Sequence, residues 1–121
     1  MNIILGEENI KEIDQKYTVL ELDTLLFSGA TTPITAYCLV EKVGLEEYVS
    51  LDRFRELHNN MMKNYRLKNW KYCEDALEHL MGKWRGELNS FYDDIAIRIK
   101  EYKQADPGEH WAGVIEKKIS F

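Results

Sequence analysis

The stretch Tyr17–Val40 reads YTVLELDTLLFSGATTPITAYCLV, two strand-like runs divided by a single run of turn residues. Leu20 and Leu22 fall on one face of an extended chain and Glu21 and Asp23 on the other, the two-residue period of a half-buried strand over Tyr17–Phe27. Ser28-Gly29-Ala30-Thr31-Thr32-Pro33 supplies turn residues, and Ile34–Val40 reads as the return strand. The pair makes a β-hairpin at about 17–40.

Upstream, Asn2–Leu5 is a short apolar run ended by Gly6, a candidate strand. Glu7–Gln15 has Ile10 and Ile13 three apart and acids first, which suits a helix of about two turns. Downstream, the period becomes helical. Ser50 is the expected N-cap of a helix to about Tyr65, with Phe54, Leu57, Met61 and Tyr65 as its buried stripe and His58 and Met62 beside it. Asn69 is placed to cap a second helix, Trp70 to about Lys83, with Trp70, Cys73, Leu77 and Leu80 inward. After Gly86, a third helix over about Glu87–Lys103 carries Leu88, Phe91, Tyr92, Ile95, Ile99 and Tyr102, and Pro107-Gly108 stops it. The tail His110–Phe121 is apolar enough, with Trp111, Val114, Ile115, Ile119 and Phe121, to be expected to dock.

The expected fold is therefore α+β in one domain over 1–121. A β-α-β-β unit occupies 1–44, three amphipathic helices 49–104, and a docking tail 105–121. A chain of 121 residues leaves little room for a second core. A short sheet buries little and leaves edges unpaired, so the strand half must lean on the helices, on a second copy, or on both.

Sixteen basic against twenty-one acidic residues give a net charge of -5, which argues against a general nucleic-acid surface. The basic residues Lys63, Arg66, Lys68, Lys71, Lys83 and Arg85 do gather in Met61–Arg85, interleaved with Tyr65, Trp70 and Tyr72. Lys63, Arg66, Lys68 and Lys71, with Trp111, form the candidate interaction surface. An RNA-binding accessory role would use the same basic residues, but Tyr65 and Trp70 fit the helical stripe, so nucleic acid is the less favoured partner.

No constellation for catalysis converges in the sequence. Asp75 and His79 are four apart on one helix face but lack further metal ligands at suitable spacing. His58 reads as a hydrogen-bonded core histidine, and Asp93-Asp94 point about 100° apart on a helix. Neither a cofactor nor a metal is expected. Cys38 and Cys73 sit in apolar patterns and read as buried thiols. Met1–Gly6 lacks a signal-like profile and no run reaches the roughly 18 apolar residues of a membrane helix, so a cytoplasmic, non-membrane protein is expected.

Two segments carry a family resemblance. Glu21, Leu22, Asp23, Gly29, Pro33 and Tyr37 match the pattern that closes the catalytic domain of bacterial class III adenylate/guanylate cyclases, so Ile3–Glu41 resembles the last β-α-β-β segment of that domain. Tyr65-Arg66-Leu67-Lys68-Asn69-Trp70, with Cys73 and Leu77, resembles the tetratricopeptide-like helix pair found C-terminal to such domains. The family's metal-binding aspartates lie upstream of this segment and have no counterpart here. Where the family commonly has a lysine before the turn glycine, this chain has Ser28. The resemblance thus implies a non-catalytic terminal portion of a cyclase chain. A looser likeness to small proteins of marine bacteriophages implies a phage-encoded origin.

Three functions follow as expectations. The first is a non-catalytic interaction or scaffold module that associates with itself, or with another protein. The second is a small-ligand or nucleotide sensor with a pocket lined by Tyr37 or Tyr48. The third is the RNA-binding accessory protein.

Overall fold

A computed structural model describes residues 1–13, 16–42 and 45–117, with the side chains of 45–50 and 117 left out. Strands β1 (Asn2–Leu5), β2 (Tyr17–Phe27), β3 (Ile34–Glu41) and β4 (Val114–Lys117) form one sheet in the order β1-β3-β2-β4. β3 runs antiparallel to both its neighbours, and β4 runs parallel to β2. Helices α1 (Leu45–Arg66), α2 (Trp70–Leu80) and α3 (Asn89–Gln104) complete an α+β fold.

The hairpin alternates as its sequence requires until Glu21. There the register slips, and Leu22 and Asp23 together face Ala36. This bulge breaks the expected sharing of one face by Glu21 and Asp23. Leu22 stays in the core, while Asp23 turns to accept a 2.7 Å hydrogen bond from Arg98 on α3. Leu20, Leu22, Ala36, Cys38 and Val40 form the sheet side of the core. Met61, Met62, Tyr65, Cys73, Leu80, Tyr92, Ile95 and Ile99 close it from the helices. Cys38 and Cys73 are both free and buried there. Burial pushes their thiols up, to about 11 and about 12 respectively, so neither offers a thiolate near neutral pH.

Several boundaries differ from the sequence expectation. Glu7–Glu12 winds as a 3-10 helix, and residues 14 and 15 of the expected helix lie outside the described residues. α1 starts at Leu45, so Ser50 lies inside it and does not cap it. Asn69 takes the N-cap position of α2, but its side chain donates to Asn64 Oδ1. α2 stops at Leu80 because Gly82 takes φ +83°, and Trp84, Arg85 and Gly86 then form a left-handed turn, with φ of 59°, 55° and 76°. Trp84 accepts that unfavourable backbone because its ring is buried and its Nε1–H donates to Tyr92 Oη at 2.8 Å.

The tail contributes what the sequence pattern did not reveal, a fourth strand. Trp111 packs with Tyr65, Trp70 and Tyr102, every pair of rings lying within 6.5 Å. Gly113 follows with φ +80°, passing close to Arg66, and Val114 then pairs with Thr24.

Candidate interaction surface

α1 borders the outer edge of β2 and satisfies the backbone there. Asn59 Oδ1 accepts from the Glu21 N–H at 3.0 Å, His58 Nε2 donates to the Glu21 carbonyl at 2.5 Å, and Arg66 donates to the Leu22 carbonyl at 3.1 Å. β4 takes over from Thr24 onward. The edge is thus divided between side chains and a strand.

Arg66 is central to this arrangement. Its guanidinium also pairs with Glu21 at 3.0 Å and reaches Thr24 Oγ1 at 3.2 Å. Lys68 belongs to the turn after α1. Its N–H donates to the Tyr65 carbonyl and that of Asn69 to the Asn64 carbonyl, a Schellman closure with Lys68 at the left-handed position, φ 63°. Its ammonium bonds Asp106 at 2.8 Å and the Gly108 carbonyl, tying the turn to the tail. Lys71 is exposed and pairs with Asp75 one turn on, and Lys63 is exposed on α1. Trp111 lies half-buried in the aromatic cluster. The structure therefore scatters the five candidate residues: Arg66, Lys68 and Trp111 hold the tail and the β2 edge, while Lys63 and Lys71 face solvent.

His58 is fully buried and its hydrogen bonds fix its tautomer. Because Nε2 donates to Glu21, Nδ1 is the acceptor, taking the Tyr92 hydroxyl proton at 2.9 Å, and Tyr92 Oη in turn accepts from Trp84. Burial lowers the His58 pKa to about 4, against which the bond to the Glu21 carbonyl acts. Burial likewise raises the Tyr92 hydroxyl well above its ordinary range. The imidazole is a neutral strut between sheet and helices. Asp93 and Asp94 are exposed on α3, and His79 lies on α2 in a cleft with Phe54, Leu57 and Tyr72. Among the described residues no three His, Cys, Asp or Glu side chains converge as metal ligands would, and no helix is long and apolar enough to cross a membrane.

The opposite edge of the sheet is organised differently. Gly6 N–H donates to the Thr35 carbonyl at 2.9 Å, continuing the β1–β3 ladder in which Leu5 faces Ala36. In an antiparallel ladder alternate residues point their polar groups at the partner strand, so Ile4 and Asn2 face β3 while Ile3 and Leu5 turn theirs outward. The Leu5 carbonyl, so exposed, is taken by Asn9 Nδ2 at 2.6 Å. The Ile3 N–H, the Ile3 carbonyl and the Leu5 N–H have no partner among the described residues.

The side chains of Ile3 and Leu5 share the core-facing side of the sheet with Cys38 and Ala36. The helices stop short of them: Ile3 is 54% exposed and Leu5 41%. Ile34 and Met1 are exposed nearby, and a shallow cleft of about 220 Å³ runs from Met1 and Ile3 to Phe91 at the start of α3. Sequence reasoning named the sheet edge as a liability but no residue in it. The signal was an apolar run with no helix facing it.

A second cleft, of about 400 Å³, lies on the outer sheet face, bounded by Glu7, Ile10, Val19, Glu21, Tyr37 and Asn59. The Tyr48 side chain is outside the described residues. The chain matches no protein-family model, no curated protein and no solved structure. The likeness to cyclase tails and to a tetratricopeptide pair rests on the quoted motifs alone, and α1 and α2, at 22 and 11 residues, are unequal partners.

Proposed function

We propose that this protein is a non-catalytic interaction module that self-associates by joining β1 to β1 of a second copy. One observation carries the reading: an edge strand whose outward Ile3 N–H, Ile3 carbonyl and Leu5 N–H are open and whose core-side apolar side chains, Ile3 and Leu5, stay largely uncovered by the helices. Such an edge is a template for strand addition. An antiparallel pair centred on Ile3 lets each copy's Ile3 exchange both backbone hydrogen bonds with its equivalent, the self-complementary contact of a two-fold dimer. It keeps Ile3 and Leu5 on the same side of the joined sheet, where they cover one another. The buried titratable groups support a non-catalytic reading, since His58 and Tyr92 are spent on each other and on the backbone.

Amide exchange at Ile3 and Leu5 tests this. The two N–H groups exchange rapidly in dilute protein and gain protection as concentration rises into the hundreds of micromolar. Ile3→Lys, which puts a charge on the exposed edge, abolishes that gain. Equal exchange at all concentrations would overturn the reading.

Tyr37 favours a second reading, a small-ligand site in the outer cleft. Of the two lining carboxylates Glu21 is already paired with Arg66, and Glu7 favours a cationic, amine-bearing ligand over a nucleotide. A thermal-shift panel of polyamines and nucleotides separates the cases, and no shift with either class removes this reading.

A further inference from the structure

The helical layer carries a second unfilled surface. α2 and α3 leave between them a groove of about 400 Å³ lined by Leu77, Ala96, Met81 and Ile97, with Glu74 and Glu78 on the α2 rim and Lys100 on the α3 rim. Met81 and Ile97 are large apolar side chains left 40% and 56% exposed. At one end the rims are tied: Lys103 of α3 donates to Glu74 of α2 at 3.1 Å. That pair sets the height of everything else. Counted by helical rise from that pair, Glu78 and Lys100 each lie about one turn along the groove, and Ile97 and Met81, the residue just past the end of α2, about one turn further. Glu78 and Lys100 differ from the tied pair in one respect: neither makes an ion pair or a side-chain hydrogen bond among the described residues.

We propose that this groove is a self-association face, occupied by the same groove of a second copy. The argument is charge complementarity about a two-fold axis running along the groove. That operation lays the α2 rim of one copy on the α3 rim of the other at equal height. Each Glu78 then meets the partner's Lys100, each Lys100 meets the partner's Glu78, and Met81 meets the partner's Ile97. All residues that the protomer leaves unmatched are matched at once. A partner of uniform charge would satisfy one rim and be repelled by the other.

The face shares no residue with the β1 edge and does not depend on it. If both faces are used, their two axes generate an assembly larger than a dimer, which is what a scaffold module requires.

The test uses full-length protein carrying Ile3→Lys, so that association through β1 is removed and the two readings fail separately. Sedimentation or light scattering at hundreds of micromolar gives a dimer for that background. Adding Glu78→Lys sets a lysine against the partner's Lys100, and adding Lys100→Glu sets a glutamate against the partner's Glu78. Each variant alone is monomeric, with far-ultraviolet circular dichroism unchanged because both sites are exposed. Mixed together the two form a heterodimer, and the double exchange Glu78→Lys with Lys100→Glu restores the homodimer. A monomeric background, single variants that remain dimeric, or a mixture that remains monomeric each overturns the proposal.

Discussion

The backbone carbonyl of Glu21 accepts a 2.5 Å hydrogen bond from His58 Nε2. This contact joins the bulged strand β2 to helix α1 and requires the imidazole to be neutral and protonated on one nitrogen only, because Nδ1 is committed as acceptor to Tyr92. The chain from Trp84 through Tyr92 and His58 to Glu21 spans the left-handed turn, α3, α1 and the sheet. It connects residues up to 71 positions apart with every polar atom of the chain engaged.

Acid should weaken the fold through this histidine. Its pKa is about 4 when folded and near 6.5 when unfolded, so between those values the unfolded chain binds a proton that the folded chain refuses. Stability is therefore full above about pH 7 and falls as pH drops toward 4. This one group contributes a loss of about 3 kcal/mol at most. Urea unfolding at pH 7.5 and pH 4.5 measures it. His58→Gln, which cannot take up a proton, flattens the slope in that interval.

Tyr92→Phe deletes one oxygen and orphans two groups, the Trp84 indole N–H and His58 Nδ1. Leaving buried partners unmade costs more than a net hydrogen bond is worth, so a loss of roughly 2–4 kcal/mol is expected. Equilibrium denaturation checks the magnitude. A loss below about 1 kcal/mol would show that water enters to replace the hydroxyl.

Much of this architecture could be read in advance. The alternation of Leu20 and Leu22 with Glu21, and the turn residues Ser28 to Pro33, specify a hairpin without reference to the rest of the chain. The stripe containing Met61 and Tyr65, and that containing Cys73 and Leu80, specify buried helix faces. Other features depend on tertiary contacts that no local pattern encodes. The bulge at Leu22 and Asp23 exists because Arg98, 75 positions from Asp23, draws the carboxylate inward. β4 is only four residues long and strand-like only beside β2, and it is led there by Trp111, which belongs to no stripe. The basic residues of Met61–Arg85 looked like a surface in one dimension. In three, Arg66 and Lys68 turn inward to bind carbonyls and carboxylates. Conversely, the groove that sets Glu78 and Lys100 on facing rims needed the spatial neighbourhood of α2 and α3, which sequence spacing does not give.

Trp111→Ala tests whether the aromatic cluster anchors the tail. The indole meets Tyr65 and Tyr102 at 5.0 Å and Trp70 at 5.6 Å, and its removal leaves a void that three rigid rings cannot close. A destabilisation of about 2–4 kcal/mol is expected, at the lower part of the aromatic range because the ring is only half-buried. Hydrogen exchange should localise the effect. The amides of Val114–Lys117 lose protection while those of β3 keep theirs. Equal loss in both strands would mean that the tail is integral to the sheet and not a separable attachment.

Gly113→Ala separates two costs at the point where the tail passes Arg66. Its φ of +80° is unfavourable for any residue with a side chain, at about 1–2 kcal/mol, and the added methyl would also come within 3.0 Å of Arg66 Cγ. Gly29→Ala is the natural reference, because Gly29 has a comparable φ of +84° and open space around it. Both variants should lose stability, and Gly113→Ala should lose more. Arg66 must shift to admit the methyl, which loosens its bonds to the Leu22 carbonyl and to Glu21. If the two variants are equally destabilised in parallel denaturation curves, Arg66 yields freely, and its hold on the β2 edge is weaker than its four partners suggest.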